Sequence, residues 1–179
     1  NNESWYWYGD PNVSELEDHE FGFYNQMSAD LDYIAQQAPN YLIVKSAGND
    51  RGETPPTFEH YVWDGTWKLV NVERELDGGT DGYDCLSPMA VAKNILTVGA
   101  VDDSKSITSF SAFGPTDDGR IKPDVVCNGF NIYSSTSTSD NSYVAYNGTS
   151  MSAASATGSV ALLNQMQNRF KGMSENIVQ

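Results

Sequence analysis

The stretch Tyr146–Leu163, Y-N-G-T-S-M-S-A-A-S-A-T-G-S-V-A-L-L, constrains this chain more than any other. Asn147-Gly148-Thr149 is a turn-like tripeptide, and the chain after it runs to its end without a proline. That pattern predicts a loop feeding a helix from about Ser150 to about Phe170. Ala153, Ala156, Thr157, Gly158 and Ala161 supply small side chains, which suits a helix pressed closely against a sheet. Ser150 would stand at the helix N-terminus, where unpaired N–H groups and the positive end of the helix dipole favour an oxyanion. A hydroxyl there is either a plain N-cap or a nucleophile, and local physics leaves both open.

Upstream, Met27, Leu31, Ile34, Ala35 and Ala38 recur at helical spacing and form one apolar face, with Ser28 as a cap inside its start and Pro39 as its stop. Tyr41-Leu42-Ile43-Val44 is a short continuous apolar run, which predicts a buried parallel strand. Helix, turn and buried strand make half of a right-handed crossover unit. The strand leads into Lys45-Ser46-Ala47-Gly48-Asn49-Asp50, and sites in open α/β sheets form at the carboxyl ends of strands. A side-chain amide at that place is a turn residue or a donor to developing negative charge. Asn94–Val101 reads as a second buried strand, and Ile132-Tyr133-Ser134 and Tyr143–Tyr146 as short strands before the nucleophile loop.

Gly148-Thr149-Ser150-Met151-Ser152, followed by Gly158, resembles the nucleophile motif of the subtilisin-like serine proteases (subtilases), G-T-S-M-A/S-x-P-x-x-x-G. Ala47-Gly48-Asn49 is similar to the end of the family's oxyanion strand, A-A-G-N. Val98–Val101, Phe110–Pro115 and Lys122–Val125 resemble its run V-G-A-V … F-S-S-x-G-P … K-P-D-I/V, so the resemblance covers about Tyr41 to Leu163. It implies that Ser150 is the catalytic nucleophile and Asn49 the oxyanion-hole donor. Ser46, Ala47 and Gly48 would form one wall of the pocket for the residue before the cleaved bond, with room for a large side chain. Two positions depart from the pattern. Ala154 stands where the family usually has proline, and Asn128 replaces the proline of A-P-G. Alanine is a good helix residue, so the helix is still expected.

A serine hydroxyl is a weak nucleophile until a base takes its proton. The family's base is a histidine in H-G-T-x-x-x-G, oriented by an aspartate in D-S/T-G, both upstream of the oxyanion strand. Neither motif is present. The two histidines are His19, between Asp18 and Glu20, and His60, between Glu59 and Tyr61, and neither is followed by Gly-Thr. The resemblance therefore implies an α/β, parallel-sheet, three-layer fold that is incomplete: residues 1–179 as the C-terminal half of one catalytic domain. Such a half should have almost no peptidase activity alone. It should also expose a strand edge and a helix face, to be covered by the missing N-terminal half, by a homodimer or by rearranged packing. The alternative is a catalytically silent binding or structural module on the same scaffold, which would need neither Ser150 nor Asn49. An unrelated α/β hydrolase ranks last, because the second glycine of its nucleophile elbow is absent.

Other segments carry weaker signals. Asp64-Gly65 between Tyr61-Val62-Trp63 and Thr66–Val70 predicts a hairpin, inserted over about 57–75, with Trp63 and Trp67 near each other and substrate access as its role. Trp5–Tyr8 reads as a satellite hydrophobic cluster, or alternatively as a sugar or peptide site. The run Asp77–Asp84 reads as a turn, without EF-hand spacing. No cofactor is expected. A structural calcium is the one option, with Asp124 as a candidate carboxylate and a structural hydrogen bond as its simpler role. Cys85 and Cys127 have no metal-ligand spacing and read as buried free thiols. The net charge of −14 argues against nucleic acid and anionic membrane surfaces, and no apolar run is long enough to span a bilayer. The expected partner is a protein or peptide substrate. A secreted or cell-envelope location follows from the resemblance alone.

Overall fold

The computed structural model describes residues 21–52, 58–63, 67–72 and 83–177. Trp5–Tyr8, His19 and residues 77–82 of the acidic run lie outside them.

Helix α1 spans Gln26–Gln37. Its cap is Asn25, whose side-chain oxygen accepts from the Met27 and Ser28 N–H groups at 2.9 and 3.4 Å. Ser28, expected as the cap, is instead buried inside the helix and donates its hydroxyl hydrogen to the Pro88 carbonyl. The predicted apolar face is also corrected. The buried positions are Ser28 and Asp32, while Met27 and Ile34 are 45% and 49% exposed. The reason lies in the loop before the central strand. Asp32 accepts from the Lys93 N–H at 2.9 and 3.0 Å, from the Asn94 N–H at 2.6 Å and from the Tyr24 hydroxyl at 2.7 Å. Backbone donors that need a partner draw the polar face inward. Burial raises the Asp32 carboxyl pKa, and the hydrogen bonds from Tyr24, Lys93 and Asn94 outweigh it, leaving a net depression. Lys93 and Arg120 both lie over the Tyr24 ring and complete this cluster.

Strand β1 is Val44–Ser46, about three residues later than predicted, and Tyr41 and Leu42 are exposed. The hairpin strands β2 (Phe58–Trp63) and β3 (Trp67–Val72) pair antiparallel, with Trp63 opposite Trp67 in the register. A short 3-10 turn at Pro88–Val91 precedes β4, Leu96–Val101, and β5 is Val125–Asn128. β1, β4 and β5 form a parallel sheet in the order β1-β4-β5. β4 is central, and its residues Thr97 to Ala100 are buried, as a strand covered on both faces should be. One edge of β1 has no strand beside it among the described residues.

β6 (Ile132–Ser135) and β7 (Tyr143–Tyr146) form a separate antiparallel ribbon. Helix α2 spans Thr149–Ile177, beyond the predicted end, because nothing in its sequence stops it. It packs on β1, β4 and β5. Its buried residues, Thr149, Ser152 and Ala156, lie at helical spacing, and residues 161–169 are exposed. Across the sheet, Ala47, Cys85, Leu86, Ala90, Val91 and Ala112 form a buried cluster, with Tyr24 packed against it. Helix, parallel sheet and cluster make the expected α/β layering. Cys85 is buried, its thiol donating to the Phe113 carbonyl at 3.6 Å, and Cys127 is half-buried.

An open groove of about 800 Å³ runs between α1 and residues 39–42. It lies by the amino ends of β1 and β4, at the opposite end of the strands from Asn49.

Candidate active site

Two elements far apart in sequence meet at the carboxyl end of the sheet. Ala47 continues the β1–β4 ladder by donating its N–H to the Val98 carbonyl at 2.9 Å. The chain then turns at Gly48, whose φ of +124° favours glycine. The turn is held from both sides. Ala112 N–H donates to the Gly48 carbonyl at 3.0 Å, and Gly48 N–H donates to the Thr149 hydroxyl at 3.2 Å. Asn49 follows at the surface.

Thr149 is the first residue of α2. Its N–H donates to Asn49 Oδ1 at 2.9 Å, and its hydroxyl lies 3.0 Å from the same oxygen and 3.2 Å from the Gly48 carbonyl. A backbone N–H can only donate, so this contact fixes which amide atom is the oxygen. The Asn49 Nδ2 and Oδ1 atoms lie 3.6 and 3.8 Å from where a Cβ on Gly148 would sit.

The first turn of α2 is almost fully accounted for. Met151 and Ser152 N–H groups donate to the Gly148 carbonyl at 3.1 and 3.4 Å, and Thr149 N–H is held by Asn49. The Ser150 N–H has no acceptor among the described residues, and the Ser150 side chain is exposed. Ser150 is therefore not the capping hydroxyl, since its Oγ holds no backbone N–H of the first turn. An exposed hydroxyl, an unengaged N–H on the same residue and the Asn49 amide flanking the same loop can together hold a carbonyl carbon and its oxygen.

The loop before Ser150 is anchored on the end of β5. Gly148 N–H donates to the Gly129 carbonyl at 2.8 Å, and Asn131 N–H donates to Asn147 Oδ1 at 2.6 Å. The Ser152 hydroxyl donates to the Cys127 carbonyl at 3.1 Å. A Cβ on Gly129 would lie 2.2 Å from Ser152 Oγ, 2.6 Å from the Gly148 carbonyl and 2.8 Å from Ala100 Cβ. Gly129 is thus the point where β5, the loop and α2 come closest.

The structure brings Ser150, Asn49 and Gly48 together. Ala47 is wholly buried in the cluster beneath them, and Ser46 is half-buried at the end of β1. Thr149 and Gly129 were not singled out from the sequence; the former lies inside the Gly-Thr-Ser string, and the latter is the glycine kept where the A-P-G element changes. No His is present in 21–52 or 83–177; His60 is on β2. Asp124, considered for a cation, accepts from the Thr97 N–H and from Lys122 Nζ, each at 2.7 Å. No group of three or more metal-binding side chains occurs among the described residues.

The chain is similar to known proteases. The chain is 38% identical over 95 residues to the subtilisin-like protease PopC of Myxococcus xanthus, covering 51% of this chain and 20% of that protein. It is 32% identical over 108 residues to the serine protease AprX of Bacillus subtilis, covering 50% of this chain and 24% of that protein. The chain thus spans about a quarter or less of the length of these relatives. Among solved structures, the self-cleaved protease domain of PatA superposes with a TM-score of 0.56 at 23% identity, over 84% of this chain and 43% of that one. The maturation protease PagA gives 0.54 at 19% identity, over 80% and 38%. At such identities these two show a shared fold. The family model described as the Subtilase family matches residues 7–179, and the chain belongs to that family.

Proposed function

We propose that this chain supplies the nucleophile and oxyanion side of a serine endopeptidase. Ser150 Oγ attacks the peptide carbonyl, and the developing oxyanion is held by the Ser150 N–H and Asn49 Nδ2. The amine leaves with a proton and the acyl-enzyme is hydrolysed. The observation that carries this reading is the hold of Thr149 on Asn49 Oδ1, which leaves Nδ2 as the end of the amide able to donate, together with a Ser150 N–H that has no acceptor among the described residues.

The base and its orienting acid come from polypeptide outside residues 1–179, and so does the cover for the open edge of β1. In isolation the chain then has almost no peptidase activity. Ser46 and Gly48 contribute one pocket wall for the residue before the cleaved bond, with Ala47 supporting it from beneath. The substrates are proteins or peptides, and a secreted or cell-envelope setting fits the relatives. The absence of a histidine near Ser150 among the described residues favours a second reading, a catalytically silent module on the subtilase scaffold.

Labelling with a fluorophosphonate probe, on this chain and on the full-length protein, followed by peptide mapping, separates the two. Label on Ser150 in the full-length protein alone is the expected result. No label in either overturns the protease reading, and label on the isolated chain overturns the assignment of the base to another segment.

A further inference from the structure

Two Asn-Gly pairs, Asn128-Gly129 and Asn147-Gly148, lie side by side in the fold, where Gly148 N–H donates to the Gly129 carbonyl at 2.8 Å. Glycine after asparagine has a chemical consequence. With no side chain to shield it, the glycine nitrogen can reach the asparagine Cγ and close a succinimide ring. Gly129 cannot be exchanged, because a Cβ there would collide with Ser152, Gly148 and Ala100. Asn128 stands where subtilases usually have proline, so this pair is particular to the chain.

Three hydrogen bonds hold Asn128-Gly129 closed. Gly129 N–H donates to the Val101 carbonyl at 3.0 Å, which aims the nitrogen's proton into the sheet. Asn128 Oδ1 accepts from the Phe130 N–H at 3.0 Å, and Asn128 Nδ2 donates to Asp103 Oδ1 at 2.5 Å. All three sit where the sheet ends. Val101 and Asn128 are the last paired residues of β4 and β5, Asn128 is half-buried, and Asp103 and Phe130 are exposed. Such an end opens at far less cost than the buried centre of β4.

We propose that Asn128-Gly129 is a self-deamidation site, gated by opening of this end of the sheet, whose conversion unseats the nucleophile loop. In the open form Gly129 N gives its proton to hydroxide or water and bonds to Asn128 Cγ. The Cγ–Nδ2 bond breaks and the nitrogen leaves as ammonia. Water then opens the ring, at Cγ to give aspartate, or at the Asn128 carbonyl carbon to give an isoaspartyl link. Water enters, ammonia leaves, and nothing is oxidised or reduced. Neither product recloses. Aspartate has no proton for Asp103, so carboxylate meets carboxylate where a 2.5 Å hydrogen bond stood. The isoaspartyl link adds a methylene to the backbone beside Gly129, where packing leaves no room. The Gly129 carbonyl anchors Gly148, so the damage passes to the loop that carries Ser150. Asn147 is the internal comparison. Its exposed Oδ1 accepts from the Asn131 N–H at 2.6 Å, and a carboxylate would accept equally well. None of this depends on the protease reading.

The full-length protein is aged in mildly alkaline buffer, native and in urea, and fragment-ion mass spectrometry reads amide-to-acid conversion at 128 and 147. Conversion at 128 should be at least about tenfold slower in the native protein than in urea, and should quicken in sub-denaturing urea. Equal rates overturn the gate. No native conversion at 128, even in sub-denaturing urea, overturns the site. Aged native protein is then resolved by charge. The fraction converted at 128 should unfold at a lower denaturant midpoint than the fraction converted at 147 alone, and equal midpoints overturn the loss of the loop's seat. Asn128→Asp should reproduce the lower midpoint, and Asp103→Asn in that background should recover about half of the shift or more. No recovery overturns the carboxylate clash. The aged fractions keep the test intact if Asn128→Asp does not fold.

Discussion

Thr149 grips Asn49 twice through one oxygen, by its N–H at 2.9 Å and its hydroxyl at 3.0 Å, across 100 residues of sequence. The grip orients the amide whose other end is proposed to meet the oxyanion. Thr149→Val keeps the shape and loses the hydroxyl. On the protease reading it should lower kcat of the full-length protein about tenfold with little change in KM, and Thr149→Ser should restore most of it. Asn49→Ala should cost about 10²–10³ in kcat, the magnitude known for such a donor in a subtilisin. Steady-state kinetics on a peptide substrate checks both; a KM effect alone would place Asn49 in substrate binding.

Gly129 sits where no Cβ fits. Gly129→Ala meets Ser152 Oγ, the Gly148 carbonyl and Ala100 at 2.8 Å or less. Two of these contacts belong to backbone or to a buried methyl and cannot swing away. The variant should be destabilised by about 1–3 kcal/mol, read from a denaturant midpoint. The displaced loop carries Ser150, so fluorophosphonate labelling should slow as well.

Asp32 binds the backbone ahead of the central strand, and its carboxyl is depressed from the ordinary 3.8. A depressed carboxyl contributes stability that is complete above its unfolded pKa and is lost as pH falls through the lower folded value. The stability difference between wild type and Asp32→Asn should therefore shrink below about pH 4 and be steady above it. At neutral pH Asp32→Ala strands two N–H donors and should cost about 2 kcal/mol. Asp118 is held at about 2 chiefly by its hydrogen bonds from Arg120 and Thr116, so it loses its own contribution over the same acid range, and Asp118→Asn is measured beside Asp32→Asn to separate the two.

Lys122 has a side chain only 4% exposed, donating to Asp124 at 2.7 Å and to the Ile95 carbonyl at 3.3 Å. Asp124→Ala leaves a buried ammonium without its counter-charge and should cost about 3 kcal/mol. Lys122→Met combined with Asp124→Ala should recover the part of that loss due to the unpaired ammonium, while the Thr97 N–H still lacks its acceptor. Thermal denaturation of the two variants measures it, and an Asp124→Ala variant as stable as wild type would show that the pair is solvated in solution.

The parts legible in the sequence are those written in local strings. Gly148-Thr149-Ser150 and Ala47-Gly48-Asn49 marked the two loops that meet, and Asp64-Gly65 marked the β2–β3 hairpin. The failures share a cause. Met27 and Ile34 look buried by hydropathy, but which face of α1 turns inward is decided by Lys93 and Asn94 N–H groups some sixty residues away. Ser28 looks like a cap, but its partner is the carbonyl of Pro88. Tyr41 and Leu42 read as strand core, but β1 is an edge strand among the described residues and Tyr41 and Leu42 precede its pairing with β4. Thr149 reads as filler between glycine and serine until the distant asparagine arrives.

The meeting of Gly48-Asn49 with Thr149 also orders events in time. The two partners leave the ribosome about a hundred residues apart, and contacts at such separation form only after a long loop has closed. While the chain is nascent or partly unfolded, Ser150 is an ordinary alcohol on an unformed helix. The proposed cradle for the oxyanion forms only with the assembled sheet and helix, so on the protease reading a reactive serine and a digestible, half-folded chain of this protein are not the same molecule at the same moment.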